Sequence, residues 1–545
     1  MSYFEMVSPE SVGIPSAAIR QFLTEAAKKG LELHRMMILR SGKCCARITW
    51  APYDSEDLHP VYSFSKSLTA TAVGFAWQEG ILSLDERIMD IFPEDIPDHP
   101  SENLKACTIH HLLCMSCGQE TEAADGGPEW RKAFFAHPFL HQPGTFYKYN
   151  TQGTNLLAAI IRKKTGQNVT EYLRSRLFDP LGMGEVWCWH FPDEQQTEHG
   201  GGGMKLRLDD MAKFTQFMLQ DGTWEGKSLL KDWFYARAGR IQIPTAGDSE
   251  GHIKDWAQGY GYQCWMGIPD ASFRADGAYG QFGLVFPRQD LCVILNAATE
   301  QTQSILDLIN EYIVPSVGDA LMENIDNLPE QKAQNSGAIE LSLSLPVLIS
   351  CRNPSFENFL QKAVYSAEDM KSSREDMEGS AEYAKSCAGL QTLVGGAGLF
   401  DLKDDGPITG IRFHFGETDV ELYFSEAGRE KKITAALDGR FVFSDIDGVR
   451  YASTARWRSK RRLELEIRRK DAMSGVRLIL SFERERLTIQ ADETLMSDGN
   501  LGMTDRRIPA FYLTQDSLSA LKKNSGDSDP FTPKGQSGNN PAVPK

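Results

Sequence analysis

The chain is predicted to be an α+β fold, an antiparallel sheet flanked by helices, followed by a second antiparallel β domain. Three observations predict this. Strand-like alternation brackets the first part of the chain and helical periodicity fills its middle, the pattern of one sheet sharing a core with a helical region. Past about residue 390, short alternating strands replace that mixture. The run after Lys66, Leu68-Thr69-Ala70-Thr71-Ala72-Val73-Gly74-Phe75-Ala76, is small or apolar nearly all round, as in a helix buried on every side.

A length of 545 residues suits two or three domains. The reading divides it into a first domain over residues 1–320, a connection over 321–345, a β-rich domain over 346–515 and a tail over 516–545. The connection carries polar residues around Pro329 and from Gln331 to Ser336, and the stretch Lys371 to Ser380 reads as a loop. The tail is rich in Gly, Ser, Asn and Pro and is expected to be disordered.

In order, Ile19 to Lys29 reads as a helix. Arg35 to Arg40 and Cys44 to Trp50 read as a hairpin around Ser41-Gly42-Lys43. Helices are expected at Ser63–Glu79, Ile109–Cys114, Thr151–Thr165, Asn168–Leu177 and Leu208–Gln220. Strands follow at Gly259–Gly267, Ser272–Gly277, Gly280–Pro287 and Cys292–Asn296, and Gln303–Ile313 closes the domain as a helix. In the second domain, Ile411, Phe413 and Phe415, then Val420, Leu422 and Phe424, then Leu463, Leu465 and Ile467 alternate with polar residues. Asp438-Gly439 and Asp447-Gly448 are tight-turn signals between strands. A barrel or a sandwich is expected.

Bulk composition excludes several classes. A net charge of −16 disfavours nucleic acid and anionic membrane, which reward positive surface. No window supplies the ~20 apolar residues of a membrane span. The N-terminus has neither a basic nor an apolar leader region, and the ten cysteines are sparse for the length. The expectation is a cytoplasmic protein with reduced thiols and no disulfide framework.

The most informative stretch is Tyr62-Ser63-Phe64-Ser65-Lys66-Ser67. Residues three apart share a helix face, so Ser63 and Lys66 can touch if a helix starts here. A serine hydroxyl needs a neighbouring base to become a nucleophile. A lysine can be that base when burial or nearby positive charge pulls its pKa towards neutrality. Ser-x-x-Lys arises by chance roughly twice in a chain this long, and a capping serine before a solvated lysine is the plain alternative. Lys66 at the head of a buried helix argues for the chemistry.

Two further stretches add to it. Pro143-Gly144-Thr145 leads through Tyr147 and Lys148 into Tyr149-Asn150-Thr151 and an apolar helix. Tyr149 is the candidate second base and proton shuttle, working near neutrality only beside a cation such as Lys66. Thr151 would add a polar contact, or would simply be the helix N-cap. Phe273-Arg274-Ala275-Asp276-Gly277-Ala278 places small residues on a strand edge where a substrate backbone can approach. The Ala278 and Ser63 amides could form an oxyanion hole. The alternative is an ordinary glycine-rich hairpin.

Together these stretches resemble the serine β-lactamase-like superfamily, in its branch of class C β-lactamases, esterases, D-peptidases and 6-aminohexanoate-oligomer hydrolases. Ser63-Phe64-Ser65-Lys66 resembles its Ser-x-x-Lys element, and Tyr149-Asn150-Thr151 its Tyr-x-Asn element. Ala275-Asp276-Gly277 stands where its Lys-Thr-Gly or His-x-Gly element belongs. Gly80-Ile81-Leu82-Ser83-Leu84-Asp85, Thr108 to Leu113, Pro143-Gly144-Thr145 and Gly201-Gly202-Gly203-Met204 agree in order and spacing. The resemblance covers about residues 8–315. It implies a β-lactamase/transpeptidase-like fold and a serine hydrolase with no metal or organic cofactor. Ser63, Lys66 and Tyr149 would be catalytic, and Ala278, Thr151, Gly277 and Ala275 would line the substrate and oxyanion positions. The expected partner is a small ester, amide or peptide.

Thr151 and Ala275 depart from the β-lactamase pattern. Ala275 removes the cation that would meet a β-lactam or peptide carboxylate, which favours esterase and oligomer-hydrolase relatives. A D-amino-acid peptidase or amidase, and a non-catalytic binding protein keeping the fold, are the rival readings. Other clusters read as structural. His110, His111, Cys114 and Cys117 share one short helical stretch that cannot aim four ligands at one ion. Gly200 to Gly203 lacks a phosphate-loop ending and reads as a flexible wall. The basic run Arg456 to Lys470, interrupted by Glu464 and Glu466, reads as a solvated strand face.

Overall fold

The structure, a computed structural model, describes residues 3–123, 127–231, 233–247, 251–269, 271–317, 337–346, 352–366, 408–426, 428–473, 475–483, 486–492 and 511–514. The chain divides into two compact units, Met1–Leu345 and Pro346–Lys545. The proposed loop at 371–380, most of the connection and the tail over 516–545 lie outside the described residues.

The first unit is built on a seven-stranded sheet. From one edge, its strands are Ile339–Ser344, Lys43–Ala51, Leu33–Arg40, Leu291–Ala297, Gln281–Phe286, Phe273–Gly277 and Trp265–Met266. Every neighbouring pair is antiparallel except the first. Leu33–Arg40 is buried along its whole length because both faces of the sheet are covered. Period-two alternation then sorts its side chains. Met36 and Ile38 join Phe22, Val293 and Ile305 on the side of helices Ser16–Lys28 and Thr302–Leu308. Met37 and Leu39 join Phe64, Leu68 and Phe214 on the side of helices Ser65–Gln78 and Leu208–Leu219.

The helix Ser65–Gln78 is buried from Ser65 through Ala76. Its polar side chains are affordable there only because each is bonded. Ser65 Oγ accepts from Met204 N at 3.1 Å and Ser67 Oγ donates to the Gln263 carbonyl at 2.7 Å. Thr69 Oγ1 donates to the Gly200 carbonyl at 2.8 Å.

Several expectations need correction. The connection drawn through residue 345 ends earlier, since Ile339–Ser344 pairs in parallel with Lys43–Ala51 as an edge strand. The sheet is therefore mixed at one edge. Alternating Ile339, Leu341 and Leu343 carried the strand signal. The strand expected over 259–267 shrinks to Trp265–Met266, because Gly259 and Gln263 take positive φ of 107° and 55° and turn the chain. Two of the predicted helices finish as π-turns, at Arg174–Phe178 and Ile309–Ile313.

The second unit is a ten-stranded sheet curled nearly closed, with one parallel pairing, Ala436 to Thr454, joining one end strand, Arg429–Ala436, to the neighbour of the other, Val449–Ser459. It is a barrel rather than a sandwich. Asp447 and Gly448 both have positive φ in the hairpin between Val442–Ile446 and Val449–Ser459, as a tight primed turn requires. Ile411, Phe413, Leu465, Ile467 and Leu480 fill the core. The basic run is solvated only in part: Arg458, Lys460 and Arg462 are exposed, but its two acids are not. Glu464 and Glu466 are fully buried and ion-paired with Arg456, Arg458, Arg468 and Arg477.

Candidate active site

Ser63 sits in a single 3-10 turn, Tyr62–Phe64, that runs directly into helix Ser65–Gln78. Tyr62 has a φ of 47°, an uncommon conformation for a large side chain. Its neighbours clamp it. Val61 N donates to the Met204 carbonyl at 3.0 Å, and Phe64 N to the Val61 carbonyl at 3.1 Å. Gly277 closes over the same segment. A Cβ there would lie 2.1 Å from the Val61 carbonyl oxygen and 3.2 Å from Phe64 N, so only glycine lets the strand end approach the turn that carries Ser63.

One helical turn on, the Lys66 amine is buried. It donates to Ser63 Oγ at 2.9 Å, to Thr151 Oγ1 at 3.3 Å and to the Gly201 carbonyl. Three acceptors match the three hydrogens of an ammonium. Burial nevertheless disfavours the charge and pulls the group down to about 7, with the Glu122 carboxylate acting in the opposite sense. Near neutrality Lys66 therefore populates both the ammonium and an amine whose lone pair can face Ser63.

Tyr149 stands beside this pair. The Lys66 amine is 4.9 Å from the centroid of its ring. The phenol ring packs in an aromatic wall with Trp265 (5.7 Å between centroids, 18° apart) and Tyr260 (6.2 Å, edge-on). Thr151 is the first residue of helix Thr151–Thr165, and the N-cap is Asn150, whose Oδ1 accepts from Gly153 N at 2.9 Å. Thr151's hydroxyl is thus left to meet Lys66.

The third stretch divides. Ala278 is exposed, immediately beyond strand Phe273–Gly277. Ala275 is fully buried in the core around helix Ser65–Gln78. It presents no surface to a substrate, which corrects its expected place in the lining. Period-two alternation sends Arg274 and Asp276 to the opposite face, where they pair at 2.7 Å and burial pushes the Asp276 carboxyl up.

Sequence reasoning missed four participants. Gly201 was part of a supposed flexible wall, yet Gly200 and Gly201 are buried and tightly packed. A Cβ on Gly201 would come within 2.8 Å of Thr151 Cγ2 and 2.9 Å of Asn155 Oδ1. Its N–H donates to that Asn155 oxygen at 2.8 Å, and its carbonyl accepts from Lys66. Glu122 accepts from Thr151 N at 2.6 Å. Gln119 and Trp265 support Asn150 and Tyr149 respectively. Only the unbroken glycine run hinted at any of this. The histidines of the Cys-His stretch are engaged elsewhere, His110 Nδ1 3.0 Å from the Tyr262 hydroxyl and His111 Nδ1 2.9 Å from that of Thr108.

Known proteins resemble parts of this chain. Lovastatin esterase of Penicillium rubens is 25% identical over 24% of this chain and 40% of its own length. The 6-aminohexanoate-dimer hydrolase of Paenarthrobacter ureafaciens is 24% identical over 47% of this chain and 70% of its own. The D-aminopeptidase of Gluconobacter oxydans is 25% identical over 27% of this chain and 30% of its own. The chain thus spans well under two thirds of the esterase and of the aminopeptidase. Among solved structures, a putative β-lactamase from Bacteroides dorei matches 55% of this chain and 99% of its own, with 14% identity and a TM-score of 0.48. The beta-lactamase family model matches residues 18–313, a span that holds Ser63, Lys66, Tyr149 and Gly277, and the chain belongs to the beta-lactamase family.

Proposed function

We propose that this serine hydrolase cleaves an ester or amide bond through an acyl-enzyme on Ser63. The observation that carries the reading is the 2.9 Å contact between Ser63 Oγ and a buried Lys66 amine held to about 7. As Ser63 Oγ attacks the carbonyl carbon, neutral Lys66 takes the hydroxyl proton. Tyr149, beside the resulting ammonium, passes a proton to the leaving group. The Ser63 and Ala278 amides receive the developing oxyanion, each donor worth about 3–4 kcal/mol in sites of this kind. Water then enters and the same groups run the second half in reverse. Thr151 keeps the Lys66 amine oriented throughout.

The relatives' names, an esterase, a dimer hydrolase and an aminopeptidase, support a small ester, amide or peptide as substrate. Ala275, in the Lys-Thr-Gly position, offers no cation to a substrate carboxylate, which favours substrates without one. Purified protein with a fluorophosphonate probe tests the reading. Wild type should gain a covalent adduct on Ser63, Ser63→Ala none, and Lys66→Ala nearly none. Full labelling and p-nitrophenyl ester cleavage by Ser63→Ala would refute it. A panel of short-chain esters against D-alanyl peptides separates the esterase from the D-peptidase reading. The absence of any acyl-enzyme by mass spectrometry would favour a non-catalytic protein.

A further inference from the structure

We propose that Glu122 is a positioning residue for Lys66, holding Thr151 against the amine and setting by its charge the pH at which the nucleophile becomes active. The inference rests on the reading of Lys66 as the base.

The loop that carries Glu122 is fixed at two points. Gly118 has a φ of 98°, and a Cβ there would lie 2.2 Å from the His141 carbonyl oxygen. That residue's N–H donates back to the Gly118 carbonyl at 3.0 Å. Gln119 is fully buried and bridges outward, its Oε1 accepting from Asn150 Nδ2 at 2.8 Å and its Nε2 donating to the Phe134 carbonyl at 3.0 Å. The loop is therefore tied to the N-cap of helix Thr151–Thr165. Three residues on, Glu122 Oε1 accepts from Thr151 N at 2.6 Å, one of the donors a helix start leaves without an internal partner.

The chain of contacts is short. The carboxylate holds the Thr151 backbone, and the Thr151 hydroxyl accepts from Lys66 Nζ at 3.3 Å. Around that amine stand Ser63, Tyr149, Thr151 and the Gly201 carbonyl, of which Tyr149 is titratable in its own right. Glu122 supplies the negative charge that opposes burial. A base in a dry site needs such a counterweight. Burial alone would leave an amine too weakly basic to take a serine proton, and a strongly paired ammonium would never release its own. Because Glu122 is exposed, its field reaches Lys66 partly through solvent and is screened by salt.

A helix-capping carboxylate and a tuning one predict different pH profiles. The rate of Ser63 labelling by a fluorophosphonate is measured against pH at low and high salt, in wild type, Glu122→Gln and Glu122→Asp. It needs no knowledge of the substrate. Loss of the negative charge disfavours the ammonium, so in Glu122→Gln the acid limb should move to lower pH by about half a unit. The plateau should fall about three- to tenfold as the base weakens. High salt should move the wild-type limb in the same direction and leave that of Glu122→Gln in place. Glu122→Asp should keep most of the wild-type profile. A Glu122→Gln limb coincident with wild type at both salts, with or without a lower plateau, overturns the proposal. Lys66→Ala run alongside separates the two readings. If it labels with the wild-type rate and limb, Lys66 is not the base and the proposed function fails on its own account.

Discussion

The indole of Trp265 lies nearly parallel to the phenol ring of Tyr149, 18° apart with centroids 5.7 Å distant, and the Lys66 amine stands 4.9 Å from the same phenol centroid. Tyr260 meets both rings edge-on, at 6.2 Å from Tyr149 and 5.0 Å from Trp265. Trp265 is itself almost fully buried, so the wall behind Tyr149 has little freedom to yield. Trp265→Leu should release the phenol from that wall. A general acid matters most when the leaving group is basic. The variant should therefore lose about tenfold in kcat on an alkyl ester and much less on a p-nitrophenyl ester, while Trp265→Phe keeps both. Equal losses on the two esters would mean that the indole serves stability and not Tyr149.

Lys66 makes stability depend on pH in a direction that can be worked out. Its folded value, about 7, lies below the 10.5 of an unfolded lysine. Between those values the unfolded chain binds one more proton than the folded chain, so stability rises with pH across that window. Below it, the folded state carries a charged buried amine in full. Lys66→Met removes the cost and should melt higher than wild type at pH 6. The advantage should shrink by about 1.4 kcal/mol per pH unit above 7, or about 3 kcal/mol by pH 9. Denaturation midpoints of the two proteins across pH 6–9 measure the gap. A constant gap would place the folded lysine at its ordinary value and remove the base from the mechanism.

What was legible in the chain was what local spacing encodes. Ser63 and Lys66 meet because three residues make most of a helical turn, and helix Thr151–Thr165 was readable from its apolar periodicity. Gly201, Glu122 and Trp265 reach the site on loops or on a two-residue strand, where no period exists to be read. Glycines at 200 and 201 look the same in sequence whether they give slack or, as here, admit two helices too close for any side chain. The run from Arg456 to Lys470 misled for a related reason. Alternation tells which residues share a face of a strand, but not whether water or paired charge lies on that face.

Gly201→Ala tests the close packing directly. The added methyl would meet Thr151 and Asn155, the two residues that orient Lys66 and the Gly201 amide. Overpacking of this kind costs about 1–3 kcal/mol of stability. It should also turn the Gly201 carbonyl from Lys66, so that Ser63 labelling slows by about tenfold or more even where the protein is fully folded. Wild-type labelling in a destabilised Gly201→Ala protein would show that the carbonyl has no part in holding the base.

In the barrel, Glu464 is fully buried with Arg456 and Arg458 at 2.9 and 2.7 Å and Arg477 at 3.0 Å. Glu466 pairs with Arg468 at 2.7 Å and shares Arg477 at 3.2 Å. Removing one partner of a buried pair is expensive because it strands the other. Here three guanidiniums would be left facing one another, partly relieved because Arg456 and Arg458 reach solvent. Glu464→Gln should therefore destabilise the protein by about 2–3 kcal/mol in urea unfolding. Part of that loss should return in 1 M salt, which screens the arginines' mutual repulsion. Arg458→Gln, at the exposed end of the same network, should cost under about 1 kcal/mol. Equal effects of the two substitutions would mean that the ladder is a surface network after all, and that burial of Glu464 contributes nothing to holding the three strands in register.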